Sequence, residues 1–307
     1  MARRVILVYN KSSSHFADVD QNVIRPLRGL VERGHLVECT IKRSGFEHNV
    51  KELKKAIKKS DLVIAAGGDG TATITANAII ASKRKDISFG VLGYGNFNDM
   101  SHSFGTRRAE VEYLLDHADN TSDVYPLHMQ INGKHFRYGV GYFTIGLFAE
   151  ATEVFDHKEK REKMQNGHAN PLYSWKILVD FYLKSRKTIR IPDYTLNDGK
   201  VVVGTTDYIA LNGRWMAQVL KGERNLLGAR QFISAQYNLS QFHSLAPFML
   251  RSILHRAPGY LSESDTLAFS EPASVEIQAE GEYCKMSGIK TIKISKTEQP
   301  LHVIAKK

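Results

Sequence analysis

Residues Leu62–Thr71 read LVIAAGGDGT, and Thr71–Ile80, TATITANAII, continues at once in helix-forming style. A short apolar run therefore ends abruptly in Gly67-Gly68-Asp69-Gly70-Thr71. Glycine lets a backbone turn sharply and approach a ligand with no Cβ in the way. A helix opening at about Thr71 directs its free N–H groups and the positive end of its dipole into the same space. Asp69 adds a carboxylate. The stretch predicts a strand, a phosphate-binding turn and a helix, with an acid placed to act on a proton or a metal ion.

Working outward, Val5–Tyr9 reads as a buried strand followed by the loop Asn10–Ser14. Ala17–Arg33 carries apolar residues at helical spacing and is stopped by Gly34. Leu36–Lys42 alternates as a strand, Glu47–Lys59 is a strongly basic helix, Thr71–Ser82 a helix, and Phe89–Gly93 a strand that runs into GYGNFNDM. Strands separated by helices over about 90 residues imply a Rossmann-like α/β unit with a mostly parallel sheet. In such sheets ligands sit at the carboxyl ends of strands, where Asn10–Ser14, Gly67–Thr71 and Gly93–Met100 all fall.

The texture changes after about Asp123. Short β-like runs appear at Leu127–Ile131, Phe136–Gly141, Thr188–Ile191, Val201–Thr205, Tyr208–Leu211, Gln231–Ala235 and Ser274–Gln278, with turn signals at Asn132-Gly133 and Asp198-Gly199. Helical patterns interrupt them at Pro171–Arg186 and Leu245–His255. These runs predict a second, mainly β domain of sandwich type. The expected boundaries are 1–122 for the α/β domain and 123–299 for the β domain, with a strand within 300–307 returning to the first sheet. His157–Lys163, HKEKREK, reads as a solvated charged stretch.

The chain has 307 residues, 42% apolar and 24% charged, as in soluble globular proteins. No apolar run reaches the roughly 18–20 residues that span a bilayer, and the opening MARRVILVYNKSSS reads as a first strand rather than a signal peptide. Cys39 and Cys284 fit no metal spacing, so a reduced, cytoplasmic protein is expected. The net charge of +10 suits nucleotides, nucleic acid or an anionic membrane surface, or else a plain solvated basic surface. HTH, zinc-finger and RRM signatures are missing, and no nucleic-acid partner is expected. HExxH, CxxC and GxSxG patterns are missing too, which argues against zinc and serine hydrolases.

The other motifs each carry two readings. Asn10-Lys11-Ser12 is either a helix-capping loop or a phosphate contact. GYGNFNDM is either a surface turn or a loop whose Asn96, Asn98 and Asp99 meet a ligand. Glu280-Gly281-Glu282 is either a charged hairpin turn or a pair of acids serving a metal ion or a substrate hydroxyl. GGDGT itself lacks the Walker G-x-x-x-x-G-K-[ST] spacing and the dinucleotide G-x-G-x-x-G pattern.

In this order the pieces resemble the diacylglycerol kinase catalytic-domain family. That family includes bacterial lipid kinases and sphingosine kinases and is distantly related to NAD kinase. The resemblance spans nearly the whole chain and is most specific at GGDGT. It implies a nucleotide domain and a β-sandwich lipid domain with a cleft between them, and ATP-dependent phosphorylation of the hydroxyl of diacylglycerol or a similar lipid, with Mg2+. By motif match, Asn10 and Ser12 fall in the first nucleotide loop. Gly67, Gly68, Asp69, Gly70 and Thr71 form the phosphate turn, and Asn96, Asn98 and Asp99 lie in the third loop. Glu280 is the expected base with Asp69 second, Glu282 orients the metal or Glu280, and Asp69 and Glu282 are the metal candidates. The expected partners are ATP, a lipid and, transiently, an anionic membrane surface met by basic helices such as Lys51–Lys59. The location is cytoplasmic and peripheral to the membrane, and an unpaired edge strand could support a homodimer.

The chain departs from the family at several points. Asn-Pro is Asn10-Lys11 here, the Gly-Asn-Asp loop is stretched, and the late Asp is Glu280. The second-domain Asp-Asp-Gly-Leu-Asp loop has no clear match in Gly222–Leu227. The alternatives are a catalytically degenerate nucleotide- or lipid-binding relative and an NAD kinase-like activity. The latter lacks its Gly-Ser-Thr-Ala-Tyr run here.

Overall fold

The apolar run Val5–Tyr9 forms β1 and is buried on both faces, as a central strand of a parallel sheet must be. The computed structural model describes residues 4–306 except 14, 33, 43–44, 59–60, 96, 107–108, 157–170, 186, 198, 217–219, 222–223, 242–243, 245–246, 249 and 252–258, and without the side chains of 155–156, 171–175, 178 and 220–221. The chain divides into two compact units, Met1–Pro126 with Thr297–Lys307, and Leu127–Lys296.

In the first unit the helical segment after β1 runs as α1 (Phe16–Val19), a π-helical turn (Asp20–Ile24) and α2 (Arg25–Leu30). It is followed by β2 (Leu36–Thr40), α3 (Phe46–Ala56), β3 (Leu62–Gly67), α4 (Asp69–Ser82), β4 (Ser88–Gly93), α5 (Asp99–Ser103), α6 (Val111–Asp116) and β5 (Ser122–Val124). The π turn ends two residues before Pro26, which has no N–H for the regular i→i−4 ladder. The sheet order is β2-β1-β3-β4-β18-β5, where β18 is the late strand Leu301–Val303, lying parallel to β4.

Helix α4 is buried almost all round, Thr71 through Ile79. Its polar side chains meet that burial by bonding back one turn. Thr73 Oγ1 donates to Asp69 O at 2.8 Å, Thr75 Oγ1 to Thr71 O at 2.8 Å and Asn77 Nδ2 to Thr73 O at 2.9 Å. Each such group left bare would cost about 1–3 kcal/mol. Arg4 fixes the far end of the sheet with a fork onto buried Asp61, at 2.9 and 2.7 Å.

The second unit contains β6 (Leu127–Ile131), β7 (Lys134–Gly139), β8 (Tyr142–Gly146), α7 (Leu147–Asp156), α8 (Pro171–Ser185), β9 (Tyr194–Leu196), β10 (Lys200–Val202), β11 (Asp207–Leu211), β12 (Trp215–Met216), β13 (Leu220–Lys221), β14 (Phe232–Tyr237), β15 (Tyr260–Ser262), β16 (Ser264–Ala279) and β17 (Glu282–Lys296). All but the β12–β13 pair join one antiparallel path, β15-β14-β11-β8-β16-β17-β6-β7, with β9 and β10 beside β16. Strand β16 changes partner along its length, from β9 at Leu267–Phe269 to β8 at Ile277–Ala279. Its register slips between Ala268 and Val275, where Pro272 can give no ladder hydrogen bond. Bends of this kind let one sheet supply both layers of a sandwich. Alternation on β11 serves two apolar layers, Tyr208 and Ala210 in one and Ile209 and Leu211 in the other.

Two readings of the sequence need correction. Thr188–Ile191 is not a strand: the amides of Thr188 and Ile189 both donate to Ser185 O, winding up the end of α8. Helix α4 starts at Asp69 rather than Thr71. His157–Lys163 lies outside the described residues, as does most of Leu245–His255. No helix among the described residues is long and apolar enough to cross a membrane.

Fully buried Asp207 accepts from Phe148 N–H and Thr206 Oγ1 and so caps the start of α7. Burial outweighs those bonds and raises its carboxyl from 3.8 to about 7. Between those values the folded chain holds a proton that the unfolded chain has lost. This group therefore lowers stability as pH rises through the window, with a slope of up to one proton, about 1.4 kcal/mol per pH unit. Asp207→Asn keeps the cap without the charge. Its urea midpoint relative to wild type should improve progressively from pH 4 to pH 7 and then level off.

Candidate active site

Three parallel neighbours, β1, β3 and β4, end side by side, with Tyr9 aligned to Ala66 and Gly67 aligned to Gly93. Strands in a sheet lie about 4.8 Å apart, so the loops beginning at Asn10, Gly68 and Tyr94 share one edge.

At the middle loop Gly68 is extended and precedes the first turn of α4, and its carbonyl accepts from the amides of Thr71 (3.0 Å) and Ala72 (3.2 Å). Three glycines here are required by space. A Cβ on Gly67 would lie 2.7 Å from Thr71 Oγ1, and one on Gly95 would lie 2.4 Å from Gly68 Cα. A Cβ on Gly68 would lie 3.2 Å from Gly95 Cα. The two loops touch backbone to backbone, and Tyr94 N–H donates to Gly67 O at 2.8 Å beneath them.

Asp69 faces this second loop. Its carboxylate accepts Met100 N–H at 3.0 Å. Burial raises its pKa, while backbone hydrogen bonds from Met100, Asp99, Asn98 and Asp69 itself pull it back. Asn98, in the left-handed region at φ 57°, closes the loop on itself: its Oδ1 accepts Gly95 N–H at 2.6 Å and its Nδ2 donates to Gly95 O at 2.5 Å. Asp99 is buried at the first position of α5. Asn96 lies outside the described residues. In the first loop Asn10 Oδ1 accepts Ser12 N–H at 2.9 Å and Ser12 is exposed. Asn10, Ser12 and the Gly67–Thr71 turn with Asn98 and Asp99 are thus gathered on the first unit.

Glu280 and Glu282 belong to the second unit. Glu280-Gly281 is the two-residue turn between β16 and β17, with φ 48° and φ 91°. Positive φ at both positions marks the type I′ hairpin. Glutamate is an uncommon occupant of that region. Only 3% of Glu280 is exposed, and its carboxylate accepts Gly141 N–H. Glu282 opens β17 opposite Ala279 and is half-buried. Beside them runs a buried polar strip that the sequence reading missed. Thr144 Oγ1 donates to Gln278 Oε1 at 2.8 Å, and Gln278 Nε2 to Tyr142 OH at 3.4 Å. Its one signal was Gln278 in the alternating stretch SVEIQA. Among the described residues no three His, Cys, Asp or Glu gather as a metal cage.

With this geometry in view, the model of the diacylglycerol kinase catalytic domain matches residues 4–127. The diacylglycerol kinase of Bacillus subtilis (strain 168) is 28% identical over 141 residues, which are 44% of this chain and 44% of that protein, so the match spans under half of the relative's length. The crystal structure of a diacylglycerol kinase from Bacillus anthracis str. Sterne superposes with a TM-score of 0.70 at 16% identity, covering 99% of this chain and 97% of the other. The family read from the GGDGT turn is the one that matches, and the fold, an α/β unit with a mostly parallel sheet followed by an antiparallel β-rich unit, is shared along the full chain.

The glycine contact makes a direct test. Gly95→Ala forces the two loops apart, an overlap of the kind that costs about 1–3 kcal/mol. Taken from binding, that is about 5- to 150-fold in the Kd of a fluorescent ATP analogue, measured by titration. Gly199→Ala, with no heavy atom in the way and no left-handed backbone to strain, should leave that affinity unchanged.

Proposed function

We propose that this chain is an ATP-dependent lipid kinase that transfers the γ-phosphoryl group to the hydroxyl of diacylglycerol or a similar lipid. The observation that carries the reading is Glu280, a nearly buried carboxylate held in a left-handed turn against a backbone amide. Strained positions of that kind cluster at functional sites. The family match over residues 4–127 supports a kinase of this class.

Phosphoryl transfer asks a protein for positioning and charge neutralisation more than for covalent chemistry. The Gly67–Thr71 turn and the start of α4 would receive ATP phosphates on backbone N–H groups, in a cradle that a Cβ on Gly68 or Gly95 would fill. Asn10 and Ser12 extend that edge. Asn98 and Asp99 act by shaping the loop opposite. Mg2+ that arrives on ATP keeps several waters and takes one or two carboxylates beside phosphates. Asp69 and Glu282 are the acids assigned to it, and when bound it neutralises charge on the phosphates. Glu280 takes the proton from the lipid hydroxyl as that oxygen attacks the γ-phosphorus. Exposed lysines on α3, among them Lys51 and Lys54, together with the net charge of +10, favour a cytoplasmic enzyme that visits anionic membrane surfaces.

The test is incubation with labelled ATP, Mg2+ and mixed micelles of a lipid panel, with NAD in parallel. Labelled phosphatidic acid is the expected product, and Glu280→Gln should lower kcat by about 10²–10⁴ with nucleotide Kd little changed. Label on NAD would replace the lipid reading. ATP binding with no transfer to any acceptor would make the chain a binding module.

A further inference from the structure

The connection between β7 and β8 is two residues long, Val140 and Gly141, and it is held from both sides. On one side Asn212, fully buried just after β11, donates from Nδ2 to Val140 O at 2.7 Å. The backbone amides of Asn212 and Gly213 both donate to Gly141 O, at 2.7 and 2.9 Å. On the other side Gly141 N–H meets the Glu280 carboxylate. Val140 C=O and Gly141 N–H belong to one planar trans peptide unit, whose carbonyl and amide point in opposite directions. Fixing the carbonyl therefore fixes the direction in which the amide offers its proton.

The Asn212 amide is itself oriented. Lys296, the last residue of β17, donates from Nζ to Asn212 Oδ1 and also to Leu226 O at 2.9 Å. A lysine can only donate, so it selects the rotamer of Asn212 that puts oxygen toward itself and Nδ2 toward Val140. Leu226 N–H closes the ring on Asn212 O at 3.0 Å. Burial, with repulsion from Arg230 behind it, pulls the Lys296 ammonium down to about 7. An apolar side chain would fill this site without that cost, so the lysine is better explained by what it orients than by the packing it provides.

We infer that Asn212 and Lys296 are positioning residues for Glu280, acting through the Val140–Gly141 peptide. The inference rests on the reading of Glu280 as the base. Nothing in the late acid-Gly-Glu motif or in the glycine turn points to either residue.

The decisive variant is Asn212→Asp. It keeps an oxygen for Lys296, so the staple remains, but it turns a second oxygen toward Val140 O and removes the bond that sets the peptide. In the lipid phosphorylation assay, Asn212→Asp and Lys296→Met should each lower kcat by roughly 10–100-fold, while the Kd of a fluorescent ATP analogue and the thermal midpoint stay near wild type. Lys296→Arg, which can still donate to both acceptors, should recover most of the lost kcat. The wild type and Glu280→Gln are run alongside. If wild type turns over, Glu280→Gln is dead, and Asn212→Asp and Lys296→Met keep kcat within about twofold, the inference is wrong and the base assignment stands. A variant that loses nucleotide affinity, thermal midpoint and kcat together has a structural role, and that also overturns it. If Glu280→Gln turns over like wild type, the base assignment falls and takes the inference with it.

Discussion

The backbone contact between Gly68 and Gly95 sets the terms for the first unit. Two loops leaving adjacent parallel strands normally diverge, because side chains keep their Cα atoms apart. Here neither loop has a Cβ at the crossing point, and the Tyr94–Gly67 hydrogen bond carries the strand ladder one step past the sheet. Asp69 is thereby brought under the amides of Asn98–Met100, and Asn98 is driven into the left-handed region, where its side chain seals the loop. The candidate phosphate cradle is therefore the pair of loops locked together rather than GGDGT alone.

In the second unit the corresponding constraint is a glutamate where a hairpin prefers Gly, Asn or Asp. Left-handed backbone costs an L-residue about 1–2 kcal/mol. Glu280 bears that and gives up most of its contact with water. Its carboxylate reaches one methylene further than an aspartate's would, and residue 141 is small enough to admit it: a Cβ there would stand 3.0 Å from Glu280 Oε1. The longer acid and the missing side chain opposite it form one arrangement.

Much of this was legible in the chain. The first unit declares itself because strand, turn and helix each carry a local signal and the signals agree: apolar runs, glycines, then a helix former. The second unit was harder. Tyr142–Ala151, YFTIGLFAEA, is apolar but for Thr144 and Glu150, because β8 is covered on both faces and α7 is also packed against the sheet, so neither a period of two nor one of 3.6 stands out. Only Gly146, at φ 100°, divides strand from helix. Thr188–Ile191 alternates well enough to imitate a strand, but its amides are claimed by the end of α8 before any partner strand can use them. Asn98 could be identified as special but not in kind. Its spacing fits a ligand contact and a loop latch equally, and only the coordinates of both its amide atoms show the latch. Asn212 and Lys296 were out of reach, since their partners lie 72 and 70 positions away along the chain.

The two acids that the motifs put forward do different work, and hydrogen bonding separates them. Asp69 gathers backbone amides of the third loop, and those bonds oppose, without cancelling, the rise in pKa that burial imposes. Those bonds tie its carboxylate to the loop that it organises. Glu280 is differently placed. The Gly141 amide meets its carboxylate, and that peptide is set from behind by Asn212. A carboxylate can receive a proton without cost to the binding site only where its protonation undoes no contact that the substrate relies on. On that criterion the base we propose is Glu280, with Asp69 assigned to keep the candidate cradle in shape.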